Sequence, residues 1–563
     1  MKNAMRNTFL GVLLSMLLVL PWSCQKPDEF EAVRSSNALV TFTAKFMYDE
    51  SDENEFKGEI DYENHVINVV FPYNYPALSD NVLTMDELTK LKVQASIENN
   101  VIIEPPLLFM DFTKDNVITV IDNLEGTRTD YTVKAEIRKS DKCEITSFAF
   151  SNLGISGVVS EKSVSIIAVE TIGKSLADVT LSHGATIEPD PRTTAIDWEV
   201  EQTLTVTAQN GVDKTVYTVK KDLPAKLATG MRPGSGVIKW TRKLSAISGI
   251  SGIQKVHGFA ITPDGIVLNQ QGAMTLPVIK TLDGSDAGTT MTVESGTNYF
   301  MTSDDSGNIL WCNYRESGSG KFTVWKASSI SSAPVKLIEY NDPDAGSRLG
   351  WKISVQGSVD GDALISSCCC RTGSLPHIAV WKISGGVLES AAPTYIAVPY
   401  DSNNYARWSD VVFGGTSLSD DYFISSYAKY PDASGARSIL WFNGADRSVK
   451  VALPLWNNSV LQTMDFAKFN GSPYLAYSNV NTFTWGVSET DGIRMHDLSA
   501  GTLENHITVI PPKIYGGQPA GSSNGNGFSD VLLEPSANGF YLNVYFVFAG
   551  GYVGMVQYDC FKD

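Results

Sequence analysis

The sequence predicts an all-β protein built from repeated units: two tandem β-sandwiches followed by a β-propeller. Three observations carry that expectation. Apolar and polar residues alternate at period two in short runs along most of the chain, the pattern of strands with one buried face. The runs recur in the same order twice before residue 223, and a strand pattern ending on Trp or its equivalent recurs through the remainder. Charged residues make up only 19 % of the chain while 43 % are hydrophobic and 10 % aromatic, a balance too apolar for disorder and suited to strands joined by polar turns.

The first thirty residues read as an address. Lys2 and Arg6 precede the apolar run Phe9 to Leu20. A bilayer-spanning helix takes about 20 residues, so this run reads as the core of a secretory signal peptide. Pro21-Trp22-Ser23-Cys24 follows. A small residue directly before a cysteine at the end of an apolar run resembles the lipobox of bacterial lipoproteins, although Pro21 stands where an aliphatic residue is usual. The resemblance implies a signal peptide over 1–23, acylation of Cys24 and a tether over 24–35. The alternative is a secreted chain with an ordinary Cys24. Gln25-Lys26-Pro27-Asp28-Glu29 resembles the export signal of Bacteroidetes surface lipoproteins. On that resemblance Lys26, Asp28 and Glu29 direct the protein to the outer face of the outer membrane, where acyl chains on Cys24 enter the lipid and the folded part stays in water.

Two modules come next, over 36–139 and 140–223. Leu39–Phe46, Val66–Val70, Lys92–Ile97, Val101–Pro105, Val117–Val120 and Asp130–Lys134 are matched in order by Ile145–Phe150, Val164–Ala168, Asp178–Leu181, Ala185–Pro189, Leu204–Ala208 and Val216–Lys220. Turns such as Gln209-Asn210-Gly211 and Asn123-Leu124-Glu125-Gly126 separate them, with Asn or Gly where positive φ is needed. The runs define sandwiches of immunoglobulin-like architecture, without the Cys…Trp…Cys spacing of antibody domains. Spacer duty is the expected role. The acidic stretch Asp49 to Glu55 reads as a solvated hairpin tip.

A linker over 224–236 leads to the repeats of 237–563. Phe322–Ala327, Ile378–Ile383, Ser438–Asn443, Gly492–Asp497 and Val553–Tyr558 are copies of one strand, with a weaker copy at Leu276–Lys280. Upstream of each lie two more strands, for example Asp410–Phe413 and Tyr422–Ile424. Units of this size, repeated about six times with hairpin turns, predict propeller blades. Six is the count, with five and seven kept open; Val237–Trp240 is placed to supply the strand that closes the ring.

Composition narrows the function. With 44 basic against 62 acidic side chains and a formal net charge of −18, the chain lacks the basic surface that a nucleic-acid binder needs. Cys143, Cys312, Cys368, Cys369, Cys370 and Cys560 show no metal-finger spacing. Neighbours on a strand point to opposite faces, so Cys368, Cys369 and Cys370 cannot converge on one ion and read as buried small side chains, with a disulfide left open. Hydrolase, zincin, dinucleotide and phosphate-loop motifs are absent.

Candidate site residues come from the blade register. Asp410, Asp465 and Asp530 stand at or just before the innermost strands of three units, and His257 takes that place in the first. Residues in one register converge on the axis, so these four are expected to ring one opening and to suit calcium, another cation, or a ligand rich in hydroxyls and amines. The alternative role is structural, each aspartate accepting hydrogen bonds from neighbouring backbone. Arg348, Trp351, Tyr405, Arg407, Trp408 and Trp456 fall near the same end and are candidate aromatic and basic contacts to a sugar. No catalytic residue is assigned; no acidic residue stands out as an acid partner, and Glu489 and Glu534 are no more than candidates.

In layout the chain resembles the Bacteroidetes outer-membrane lipoproteins that place two immunoglobulin-like modules before a propeller-like domain. That resemblance rests on Cys24, the Ile-Glu-Pro and Tyr-Thr-Val repeats and the blade-like units. It implies non-catalytic capture of a carbohydrate or glycoconjugate at the propeller mouth. A scaffold or adhesin with a surface-protein partner is the second reading, and a propeller-type glycoside hydrolase or lyase the third.

Overall fold

The computed structural model of the chain describes residues 37–48, 54–316, 318, 320–373, 375–398, 407, 409–426, 437–455, 460–480, 492–510 and 528–562. Among them there is no α-helix, and the protein is all-β. No helix there is long and apolar enough to cross a membrane. The described residues divide into two compact units between Asp222 and Leu223.

The N-terminal unit holds the same strand path twice. In the first module the hydrogen-bonded order is Val101–Glu104, Asn116–Asp122, Thr127–Arg138, Val66–Pro72, Phe56–Asp61, Leu39–Phe46, Leu91–Ile97 and Phe109–Met110. In the second it is Thr186–Glu188, Gln202–Thr207, Lys214–Asp222, Ser163–Ile167, Ile155–Val159, Ile145–Phe150 and Asp178–Leu181, element for element the same apart from the short last strand. Each path contains one parallel pair, Val66–Pro72 with Thr127–Arg138 and Ser163–Ile167 with Lys214–Asp222.

One strand in each module changes partner along its length. Phe56 and Lys57 pair with Ala44 and Thr43, whereas Gly58 to Asp61 pair with Val69 to Val66. Ile155 and Ser156 pair with Phe150 and Ala149, and Gly157 to Val159 pair with Ile166 to Val164. Both switches fall on a glycine. A Cβ at Gly58 would lie 2.8 Å from Ile67 Cγ2, and one at Gly157 2.8 Å from Val164 Cγ1, so the backbone there presses onto its own core where no side chain fits. Buried Phe42, Ile67, Val69 and Val133 fill the first core. The second closes on Trp198, whose ring meets Phe148 and Phe150 edge-on at 5.4 and 5.6 Å and whose Nε1 donates to the Ser175 carbonyl.

Among the described residues the C-terminal unit holds six antiparallel strand sets, here sheets I to VI, of which I and II form one eight-stranded sheet. Their first strands are Val256–Thr262, Phe300–Ser303, Ser354–Gly357, Ser409–Phe413, Val460–Phe469 and Ser529–Pro535. Each first strand lies beside the next in order, and that of sheet VI lies beside that of sheet I, so the six close a ring. Sheets I and II join through a parallel contact at Gly258 and Met301. The fourth strand of sheet VI comes from the start of the unit: Val237–Lys243 pairs antiparallel with Tyr552–Asp559. Arg232 adds a two-pronged ion pair to Asp559, at 2.7 and 2.6 Å. The recurring tryptophans pack between strands and sheets. Trp325 stacks on Trp311, Trp381 on Phe322, and Trp441 lies against Phe423. Cys368, Cys369 and Cys370 are buried in sheet III, and no disulfide joins any of the six described cysteines.

Candidate functional site

The first strands enclose an axis whose side chains fall into three levels. At the upstream mouth, the N-terminal ends of the first strands, aromatic rings close the passage. His257 stacks on Phe528 with centroids 3.5 Å apart, and Phe528 stacks on Trp351 at 5.1 Å. Tyr299 and Tyr314 pack against Trp351 at 5.2 and 5.4 Å. Glu316 accepts from Arg407 at 2.7 Å and from Arg348 at 3.0 Å, which sets an ionic rim beside the rings. Burial pushes His257 down to about 3, so its ring is neutral at physiological pH.

Below this seal lies a buried ion triad. Lys352 Nζ reaches Asp410 Oδ2 at 2.7 Å and Asp530 Oδ1 at 3.1 Å, and all three side chains are at most 7 % exposed. Burial lowers the pKa of the ammonium, but the two carboxylates outweigh it and raise the lysine above its ordinary value. Burial lifts Asp530 to about 6 against the pull of Lys352. Asp410 also accepts from Ser354 Oγ at 2.8 Å, from its neighbour Val411 N at 2.8 Å and from Met464 N at 2.7 Å, which ties sheets III, IV and V together. Asp530 Oδ2 is buried and has no partner among the described residues.

The downstream mouth, at the C-terminal ends of the same strands, opens into a cavity of about 440 Å³. Asp305, Asp465, Gln356, Lys468 and Glu534 line it beside Ile261, Val355, Phe466 and Leu532. Asp465 Oδ2 accepts from Leu533 N at 2.7 Å, which clips sheet V to sheet VI. Burial raises Asp465 to about 8, with the charge of Asp305 adding to the rise. Asp305 opens to solvent at the rim, and the protein around it together with Asp304 still raises its pKa. Asp304 is committed to structure: it accepts from Ser306 N, Asn308 N, Asn308 Nδ2 and Val359 N. Gln356 is only 8 % exposed and donates its amide to the Phe466 carbonyl at 3.3 Å.

His257, Asp410, Asp465 and Asp530, expected from their shared register to ring one opening, are divided in the structure. Asp410 and Asp530 meet on Lys352, His257 packs into the aromatic seal, and Asp465 faces the other mouth. The place expected for a cation between Asp410 and Asp530 is taken by Lys352. Among the described residues no group of three His, Cys, Asp or Glu side chains is arranged to hold a metal ion. Arg348, Trp351 and Arg407 come together at the upstream mouth. Tyr405, Trp408 and Trp456 lie outside the described residues, as do Cys24, Lys26, Asp28, Glu29, Glu489 and most of the acidic tip at 49–53. Sequence reasoning missed Lys352, a basic residue directly after Trp351 and two residues before the first strand of sheet III. It also missed Asp305, which sits in a turn, Asp304-Asp305-Ser306-Gly307-Asn308, that reads as an ordinary hairpin connection.

These features define a class: an all-β protein whose closed ring of sheets holds a buried ion triad above an open acidic cavity. Residues 249–559, more than half of the chain, match the family described as Domain of unknown function (DUF8500), and the chain belongs to that family. Residues 18–135 match a second such family (DUF5018) and residues 145–221 a third (DUF8499). None of the curated proteins compared with the chain matches it. Among solved structures, it is similar to a DUF4623 family protein from Bacteroides eggerthii, at 15 % identity over 75 % of this chain and 99 % of that one, with a TM-score of 0.41. An exo-β-1,3-galactanase from Phanerochaete chrysosporium matches at 9 % identity over 44 % of this chain and 57 % of its own, TM-score 0.29. An α-L-arabinofuranosidase from Lactobacillus brevis matches at 12 % over 45 % and 86 %, TM-score 0.28.

Proposed function

We propose that the chain is a lipid-anchored protein of the outer-membrane surface that captures a carbohydrate or glycoconjugate in the downstream cavity. In this reading the N-terminal modules are immunoglobulin-like sandwiches serving as spacers, and the six sheets are the blades of a propeller. The cavity carries the proposal. Its volume of about 440 Å³ lies in the range of small-molecule sites, about 300–1,000 Å³. It sets carboxylates and an amide, which take hydroxyl groups, beside apolar side chains, which take the C–H face of a sugar ring. The anchor rests on Cys24 and the residues that follow it.

The test is binding of the chain without residues 1–24 to a broad glycan panel, beside an Asp305→Asn/Asp465→Asn variant whose fold is checked by circular dichroism. Binding by the native chain that the folded variant loses supports the cavity as the site. A panel with no binder, or a variant that binds as well as the native chain, overturns it. Release of reducing sugar that the variant abolishes would make the cavity hydrolytic instead. For the anchor, palmitate should label the native chain and not Cys24→Ala, and protease added to intact cells should remove it; a chain that is unlabelled or protected sinks the surface assignment.

A further inference from the structure

We infer that the downstream cavity selects ligands carrying a protonated amine, which within the glycan reading above means an amino sugar with its nitrogen unacylated. The inference rests on a comparison inside the same ring. The first strands and their turns build two sets of carboxylates. Asp410 and Asp530 are neutralised from within by Lys352 at 2.7 and 3.1 Å. Asp305 and Asp465 border the cavity, and among the described residues neither has a Lys or Arg at ion-pair distance.

The remaining lining points the same way. Gln356 is more than nine-tenths buried and spends its amide nitrogen on Phe466 O. Among the described residues no hydrogen bond engages its amide oxygen, and Gln356 lines the cavity. The cavity therefore gathers acceptors: the carboxylates of Asp305 and Asp465 and the amide of Gln356, with Asp304 and Glu534 also at its lining. An ammonium carries three N–H donors and a positive charge, and a neutral hydroxyl brings one donor and no charge. Asp304, Lys468 and Glu534 are the other charged groups at the lining; Asp304 is spent on its own turn and on Val359 N, and the charge of Lys352 reaches Asp465 from outside the lining. Lys468 is exposed, so its ammonium stays hydrated.

Without a cation beside it, Asp465 keeps its proton near neutral pH. An incoming ammonium takes over the role of that proton, which leaves to solvent as the carboxylate forms the charged pair. Binding near pH 7 should then release protons, and affinity should rise with pH until the amine itself loses charge.

Calorimetry of the chain without residues 1–24 tests this with glucosamine oligomers, their N-acetylated counterparts, neutral glucose oligomers and methylamine. The free amines should bind at least about tenfold tighter than the acylated or neutral sugars, the ratio that about 1.4 kcal/mol of extra contact gives. Heats at neutral pH should change with the ionisation enthalpy of the buffer. Asp465→Asn should lose both the preference and the proton release. Asp305→Asn, at the exposed rim where folding is not at stake, should lose the preference. Acylated or neutral sugars binding as tightly as free amines would overturn the amine inference and leave the glycan reading standing. Methylamine binding while every sugar fails would do the reverse. No binding by any probe would remove both.

Discussion

Replacing Lys352 by Met takes the charge from the centre of the ring and leaves its apolar stem. The ammonium lies 2.7 Å from Asp410 and 3.1 Å from Asp530, in a site where none of the three side chains is more than 7 % exposed. Its loss leaves two carboxylates in one buried space, one of which already has an oxygen without a partner among the described residues. Removing one member of a buried ion pair typically costs about 3–5 kcal/mol. Unfolding entropy of about 2.1 cal mol⁻¹ K⁻¹ per residue across the C-terminal unit turns about 4 kcal/mol into a fall in Tm of about 6 °C. Differential scanning calorimetry at roughly pH 8 and pH 5.5 reads this directly. The pH dependence has a definite sign. Asp530 stands at about 6 even with Lys352 present, and loss of the lysine raises it further. The folded variant therefore binds a proton that the unfolded chain, with an Asp pKa of about 3.9, does not. Its deficit is largest at the alkaline end and shrinks toward pH 5.5, by at most about 1.4 kcal/mol per pH unit for one group. Adding Asp410→Asn and Asp530→Asn removes the stranded charges and should recover part of the loss. A Lys352→Met chain that melts with the native one at pH 8, or shows the same deficit at both pH values, refutes the triad as a stabilising element.

Two further outcomes follow from the same geometry. Asp465 has a folded pKa of about 8 against about 3.9 unfolded, so its share of stability declines as pH rises from about 4 to about 8. Asp465→Asn keeps an acceptor for Leu533 N and should flatten that decline in melting profiles of the C-terminal unit; an unchanged slope would show that Asp465 is ionised throughout. Gly58→Ala and Gly157→Ala each drive a Cβ to 2.8 Å from a core methyl, and overpacking of that kind costs about 1–3 kcal/mol. Each should lower the transition of the N-terminal unit and leave that of the C-terminal unit in place; an unmoved melt would mean that the strand relaxes freely.

Strands and repeats were legible in the sequence because alternation at period two is a local property. Leu204-Thr205-Val206-Thr207 reads as a half-buried strand wherever it lies, and it pairs along Lys214–Asp222 as such a strand would. The inner register was only half legible. Alternation says which face a residue occupies, so Asp410, Asp465 and Asp530 all reach the axis. It does not say how far each first strand slides along that axis. The first strand of sheet V begins at Val460 and carries a bulge between Leu461 and Thr463, so an aspartate that matches Asp410 in sequence ends nearer the other mouth. Lys352 was hidden by a different cause. A lysine after Trp351 looks like a solvated strand end until the two acids from sheets IV and VI are brought to it across the ring. No local pattern records that meeting.

The oxygens of the three aspartates separate support from recognition. Asp410 spends both, on Ser354 and Val411 through Oδ1 and on Met464 and Lys352 through Oδ2. Nothing of it is left for a ligand, and its work is to clip first strands together. Asp530 has one oxygen unspent but lies fully buried beneath the aromatic seal, where a solute cannot arrive without unstacking His257, Phe528 and Trp351. Asp465 commits Oδ2 to Leu533 on the neighbouring strand and also borders the open cavity. It alone of the three combines a clip with access. A ligand that engages its other oxygen leaves the Leu533 bond in place, so binding at the downstream mouth requires no opening of the ring.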